Sequence, residues 1–543
     1  TPHGKIGRRQ THLKDGRGLS ETGQRFRQTG LTDPHGVMPL SRLATHAIPL
    51  RRGLTRQRAP SVRQPGEAIP APQSVGHGSV MDCSVSTLGA GRQRGNIAFL
   101  SFHSGKKSHF SEAGLIVSFP VFRPVFQRFR LLAHACDQGQ TPHERTMKQS
   151  LSIFHKVWQR FPADARRRFF VRATALAVPP VRPRKPVAAH GMIVAGEFSR
   201  SSGLGEGARL MVRALREMGI PCATWDIDRR VLEGDRTGPG APLVMHVNAP
   251  MLPYAQFFMP RALRTGRRVI GYWAWELPVV PDIWRIARRH VHEIWAPSQF
   301  TADALRSLER PVQVVEHPVG LAEEKSSGRD RASFGLPEDS VIVLVSFSLS
   351  SSMVRKSPIE TIHAFRKAFG DRTDRLLLLK IGHTAHYPED LATIRAAIGG
   401  APNIRIETGQ LDGADRLALT ECADIVLSLH RSEGFGLVVA EAMALGRCVI
   451  ATDWSATAEF MDETCGLPVS YTLVPARDPR GIWDMPDTQW ALPDMEAAVQ
   501  ALRTAADDPD LRARLGAHAR HRIATRLNGA TLREAAQAVG ARP

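Results

Sequence analysis

The sequence predicts an α/β protein built on two parallel sheets, and three observations carry that prediction. Short apolar, β-rich runs alternate with helical patterns from about residue 192 onwards. The alternation restarts after a polar, glycine-containing stretch at 326–337 that lacks an apolar period. In the second half a glycine-bounded turn follows one such run (425–429) and opens a helix that leads to another (449–452). That last arrangement is a βαβ unit, and alternating strands and helices give parallel sheets covered on both faces.

Taken in order, the first half reads as strand 192–195, helix 205–218 and strands 221–225, 243–247, 269–273 and 293–296. The second half reads as strand 341–347, helix 358–369 and strands 376–381 and 403–407, followed by the βαβ unit. With 543 residues the chain exceeds one ordinary core, so two domains are expected, 187–324 and 338–515, with a terminal helix at 516–543. The boundary falls between Glu324 and Pro337, the natural hinge.

The formal net charge of +20 looks like a polynucleotide signal until it is located along the chain. Residues 1–190 carry a net charge of +22 and the remainder −2, which argues against nucleic acid as the partner of the folded part. Residues 1–146 are expected to form a basic, low-order extension that packs no core, being rich in Arg, Gln, Gly, Pro and Ser with little sustained periodicity through about Gly95. Thr1 opens the chain and Met147 directly precedes the first amphipathic pattern, which reads 1–146 as upstream sequence translated from a misplaced start. The competing reading is a disordered basic arm that binds nucleic acid or anionic lipid.

Residues 147–186 form a basic amphipathic helix and a Pro- and Arg-rich linker. Leu151, Phe154, Val157, Trp158 and Phe161 share a helical face, and Arg166, Arg167, Arg168, Phe169 and Phe170 follow. Such a helix over 151–172 either lies on an anionic leaflet or packs against the catalytic domains. No apolar run reaches the roughly twenty residues of a membrane span, and 115–132 is broken by prolines and arginines. No secretory signal is evident and the six cysteines show no CxxC pair, so the cytoplasm is the expected compartment, with no zinc site or disulfide framework.

The chemistry concentrates in the turn of the βαβ unit. Arg431-Ser432-Glu433-Gly434-Phe435-Gly436-Leu437 leads into a helix containing Glu441. A loop after a parallel strand lies at the carboxyl edge of the sheet, where helix N–H groups face a ligand anion. Gly434 and Gly436 permit a close backbone approach to phosphate. The two carboxylates suit neutral diols, because each accepts two hydroxyl hydrogens and a diphosphate repels them.

With its surroundings, this segment resembles the signature of family 4 glycosyltransferases, retaining enzymes of the GT-B fold. Further matching segments are Gly196-Glu197-Phe198, Ser202-Gly203-Leu204-Gly205-Glu206, Arg268 through Pro278, Glu293 through Phe300, and Arg355-Lys356-Ser357-Pro358. The resemblance spans about 192–522. It implies two Rossmann-like, doubly wound domains facing across a cleft, an acceptor-side amino domain and a carboxyl domain binding a UDP- or GDP-linked sugar, with no tightly bound cofactor or metal. It assigns Glu433 to the donor sugar near the reacting carbon, Glu441 to the ribose and Lys356 to the diphosphate, making Glu433 and Lys356 the catalytic candidates. Donor contacts extend to Arg355, Gly203, Gly205, Gly434, Phe435, Gly436 and Leu437, although Arg355 adjoins the lysine where the family places its arginine earlier. A donor-sugar histidine at the edge of strand 243–247 corresponds to His246 or to Asn248, with a core or turn histidine as the alternative. Glu276 is a cleft residue without an assigned role, and Trp273 and Trp275 are either a sugar platform or core.

The expected activity is transfer of a hexose to a hydroxyl of a glycan or lipid-linked acceptor in polysaccharide or glycolipid assembly. A leaving diphosphate needs positive charge more than a proton donor. The alternatives are a nucleotide-sugar epimerase and a noncatalytic nucleotide-sugar or anionic-surface binding protein. Glycoside hydrolysis also uses two carboxylates, but eight positions on a helix span about 12 Å, against about 5–5.5 Å in a retaining hydrolase.

Overall fold

The computed structural model describes residues 162–321 and 325–543. The expected amphipathic positions Leu151, Phe154, Val157, Trp158 and Phe161, and the whole of 1–146, lie outside the described residues. Two parallel sheets dominate, giving two doubly wound α/β halves.

The first sheet runs β4-β3-β2-β5-β6-β7-β8, comprising β2 Met192–Gly196, β3 Cys222–Asp226, β4 Val231–Gly234, β5 Leu243–His246, β6 Val269–Tyr272, β7 Glu293–Ala296 and β8 Val312–Val314. Only β4 is antiparallel to its neighbour. The second sheet is parallel throughout and runs β11-β10-β9-β12-β13-β14, comprising β9 Val341–Ser348, β10 Arg375–Gly382, β11 Ile404–Glu407, β12 Ile425–Ser428, β13 Cys448–Thr452 and β14 Leu467–Val469. Every residue of β2, β5, β6 and β13 is buried, as a sheet covered on both faces requires.

Strand order reverses between β2 and β5 in the first sheet and between β9 and β12 in the second. In an open parallel sheet these switch points leave a crevice at the carboxyl ends of the strands, where ligands bind. The Gly203 loop, the Lys356 turn and the Glu433 loop follow β2, β9 and β12, and His246 is the last residue of β5.

An antiparallel hairpin, β15 Tyr471–Ala476 and β16 Met485–Pro493, follows the second sheet. The chain then returns to the amino half through helices Pro509–Arg526 and Ala530–Ala538, which bury Ile523, Leu532 and Ala535 in one cluster with Met192 and Leu215. The return is close enough that a Cβ on Gly320 would meet the carbonyl oxygen of Ile523 at 2.3 Å. The last strand, β17 Ala541–Arg542, pairs in parallel with β1 Ala189–His190.

Ahead of β1, helix Ala163–Ala177 buries Val171 and Ala175 and sets Phe170 against Tyr254 with ring centroids 5.2 Å apart. Its opposite face leaves Phe169 56% and Leu176 80% exposed beside exposed Arg168 and Arg172. The linker after it is strapped to the first sheet: Val181 N donates to Arg289 O at 2.9 Å, and Arg268 Nη1 donates to Arg184 O at 2.6 Å. Among the described residues no helix is long and apolar enough to cross a membrane. Cys222, Cys422, Cys448 and Cys465 are free, buried thiols.

Candidate active site

The end of β9 leads through a tight segment in which Ser352 and Ser357 both adopt left-handed backbone, φ 69° and 50°. Such residues cost about 1–3 kcal/mol each and persist where their surroundings over-determine them. Ser352 Oγ donates to Asp478 Oδ1 at 2.8 Å and accepts from Arg355 N at 3.3 Å. Between the two serines, the helical turn Met353–Lys356 presents consecutive cations, and helix Pro358–Phe369 follows.

Those cations point at the other switch-point loop. Arg355, 2% exposed, donates through Nη1 to Ser432 O at 2.7 Å and through Nε to Ser351 O at 3.1 Å. Its guanidinium also faces Glu433 Oε2 at 3.3 Å and Glu276 Oε1 at 3.5 Å. The Lys356 ammonium donates to Glu433 Oε1. Burial pushes the Glu433 carboxyl up, but Lys356 and then Arg355 outweigh it and hold the group at about 2. Burial likewise draws Lys356 down, opposed by the same carboxylate. The backbone of Glu433 is fixed from behind, its N–H donating to Ser455 Oγ at 2.8 Å.

Glu433 lies in the loop between β12 and helix Leu437–Ala444, so the helical 12 Å spacing does not apply to the two glutamates. Their separate partners distinguish them instead. Glu441, on the helix, pairs with Arg416, which also approaches Glu206 at 3.9 Å. Glu206 stands on helix Gly203–Glu217 and pairs with Arg209 at 2.8 Å and Arg213 at 3.3 Å. Burial opposes its ionisation, but Arg416 and Arg209 prevail and keep its carboxyl below the ordinary value. Glu206, Arg213, Lys325, Leu417, Glu421 and Glu441 are among the residues lining a cavity of about 500 Å³ between the halves.

The remaining expected residues divide. Gly205 has no room for a side chain, because a Cβ would meet Glu197 O at 2.6 Å and Arg200 O at 2.7 Å, whereas Gly203 faces open space. Gly436 holds φ 93° ahead of Leu437, the first residue of its helix. Gly434 spends its freedom on a protein contact, since a Cβ would lie 3.1 Å from Trp275 O across the halves. Ser298 and Thr301 hydroxyls donate to Gly434 O at 2.7 and 3.1 Å. Phe435 is 6% exposed and packs edge-on against His317 with centroids 4.8 Å apart.

His246 is fully buried, stacked on Tyr272 at 4.2 Å, and burial lowers its pKa well below the ordinary value. Asn248 Oδ1 accepts from Ala274 N at 2.9 Å. Trp273 and Trp275, 0% and 4% exposed, are core and not a sugar platform. Glu276 bridges the halves, accepting from Trp483 Nε1 at 3.0 Å.

Sequence reasoning missed Arg416 and Trp483, which touch Glu441 and Glu276, and Glu206 and Asp478, which pair with Arg416 and with Ser352. Glu206 sits inside a segment already singled out. Arg416 and the hairpin residues carry no local motif. Among the described residues no group of three His, Cys, Asp or Glu side chains is placed to hold a metal ion.

Solved structures similar to this chain include a glycosyltransferase from Rickettsia africae ESF-5, 16% identical over 64% of this chain and 97% of that one, TM-score 0.46. Sucrose-phosphate synthase from Thermosynechococcus elongatus is 17% identical over 64% and 98%, TM-score 0.46. HepE of Anabaena, solved in complex with UDP and glucose, is 12% identical over 64% and 98%, TM-score 0.45. No curated protein matches the chain significantly. Residues 347–485 match the family model of glycosyl transferases group 1, so the segment that holds Arg355, Lys356, Glu433 and Glu441 is similar to that family.

Proposed function

We propose that the chain is a retaining glycosyltransferase that moves a hexose from a nucleoside diphosphate sugar, UDP- or GDP-linked, to a hydroxyl of a glycan or lipid-linked acceptor. The observation that carries this reading is the convergence of Lys356 and Glu433 at the β9/β12 switch point, within the segment that matches group 1 glycosyl transferases. Lys356 takes the diphosphate and stabilises the charge that develops on it as the glycosidic bond breaks. Glu433, held ionised, faces the sugar, and Glu441 holds the ribose at the edge of the cavity between the halves. Arg355, enclosed by carbonyls and carboxylates, fixes Glu433 and adds its charge to the site.

The exposed Phe169 and Leu176, flanked by Arg168 and Arg172, suit a peripheral contact with an anionic leaflet carrying a lipid-linked acceptor. Co-sedimentation with vesicles of anionic lipid that Phe169→Ser and Leu176→Ser do not reduce would remove that element.

The decisive experiment is calorimetric titration with UDP, GDP and their common hexose conjugates, beside Lys356→Ala. Selective binding that the substitution abolishes supports the transferase and names the donor class. A folded wild-type chain that binds none of them overturns it. Product analysis by NMR then reads the anomeric configuration directly.

A further inference from the structure

The hairpin β15–β16 has no role in the chemistry proposed above, yet with its connecting loop it touches both carboxyl-half segments of the site and the amino half. On the first segment, Asp478, 3% exposed, accepts from Ser352 Oγ at 2.8 Å, and Arg480 donates to Leu349 O. On the second, Ala491 N of β16 donates to Arg431 O at 2.9 Å, two residues before Glu433. Toward the amino half, Trp483, 7% exposed, stacks on Trp275 with planes 10° apart and centroids separated by 6.3 Å. Its indole N–H donates to Glu276 Oε2 at 3.0 Å, and its ring centroid lies 5.2 Å from the Arg355 guanidinium carbon.

Arg355 therefore has a carboxylate from each half, Glu276 and Glu433, with the indole of Trp483 beside it. The loop closes on itself as well, Trp483 N donating to Asp478 Oδ2 at 3.4 Å, so the residue that meets the amino half and the residue that holds Ser352 are one hydrogen bond apart. Ser352 in turn begins, in left-handed backbone, the turn that carries Arg355 and Lys356. An interaction that forms only when the halves meet is thus connected by continuous hydrogen bonds to the turn that aims both cations.

We propose that the 477–484 loop is a positioning device: Trp483, seated on Glu276 and Trp275, transmits contact between the halves through Asp478 to the Ser352–Lys356 turn. The cations are then aligned on Glu433 when the amino half is in place and loosened when it withdraws. Trp483 and Asp478 are positioning residues and touch no substrate in this scheme.

The test uses the full chain and two conservative substitutions. Trp483→Phe keeps an aromatic ring and removes the N–H to Glu276, and Asp478→Asn keeps the size and removes the charge that faces Ser352. Hydrogen exchange read by mass spectrometry should rise at least 5-fold in the peptide spanning 352–357 in both variants, with β2 and β13 unchanged. Wild-type exchange in that peptide, or an equal rise everywhere, overturns the proposal. The kinetic arm rests on the transferase reading: kcat should fall about 10-fold with the donor KM within 2-fold. Unchanged kcat, or a loss confined to KM, also overturns the proposal. If the wild type binds no nucleoside diphosphate, the functional reading fails by itself and the exchange measurement still decides the coupling.

Discussion

Two charge clusters straddle the halves, and they are built differently. Around Glu433 the arginine is 2% exposed, the lysine beside it is half-buried, and two glutamates face the two cations. Around Glu441 the arginine side chain is 28% exposed, faces Glu441 and Glu206, and borders a cavity. Ions taken out of water are held only if every charge is answered, so while the halves are together the first cluster is committed to one geometry. In the second the carboxylates are as buried as Glu433 and only Arg416 keeps contact with solvent, so that arginine can change partners around a ligand. One loop–helix segment therefore supplies both a fixed element and an adaptable one, eight residues apart.

The comparison is tested most severely by Glu433→Gln, which leaves Arg355 and Lys356 with insufficient counter-charge. Unfolding free energy should fall by about 3–5 kcal/mol, and a loss below 1 kcal/mol in urea titration would erase the distinction between the clusters. The pH dependence has a definite sign. The folded Glu433 carboxyl sits at about 2 against an ordinary 4.5, because Lys356 and Arg355 outweigh its burial. Its contribution is present above the ordinary value and is lost as pH falls from about 4.5 through about 2. That part of the acid destabilisation should be missing from Glu433→Gln.

Next in size, Lys356→Ala should lower transfer by roughly 100-fold and weaken nucleoside diphosphate binding at least 10-fold. Calorimetry that returns wild-type affinity would free the lysine from any donor role. The smallest effect on stability belongs to the other cluster. Glu441→Ala should cost less than Glu433→Gln, because Arg416 keeps Glu206 and access to water. It should still weaken donor binding, and an unchanged donor affinity would defeat the assignment to ribose. If Glu441→Ala proves as destabilising as Glu433→Gln, the two clusters are equally rigid and the contrast falls.

Much of this was legible in the sequence where two faces of a strand are covered. The expected strand at 293–296 and helix at 358–369 are those observed, because parallel strands read as unbroken apolar runs and Pro358 marks a helix start. The antiparallel elements were missed: β4 is exposed throughout and half of β15 is exposed, so neither has the two covered faces that produce such a run. In the site, the signature and the Lys356 turn were visible because each is contiguous. The Trp483–Glu276 bond was not, since 207 residues separate its partners and neither lies in a motif that names the other. Gly434 shows the limit from the other side: the glycine was recognised, but the backbone it admits is that of Trp275.

The parallel pairing of Ala189 and His190 with Ala541 and Arg542 bears on how the molecule is synthesised. The pairing partner of β1, and the helix carrying Leu532 and Ala535, become available to the amino half only after the carboxyl half has been synthesised. Domains that emerge first ordinarily fold first. Here the apolar cluster around Met192 and Leu215 is covered by helices Pro509–Arg526 and Ala530–Ala538, so an amino half made without them leaves that face uncovered.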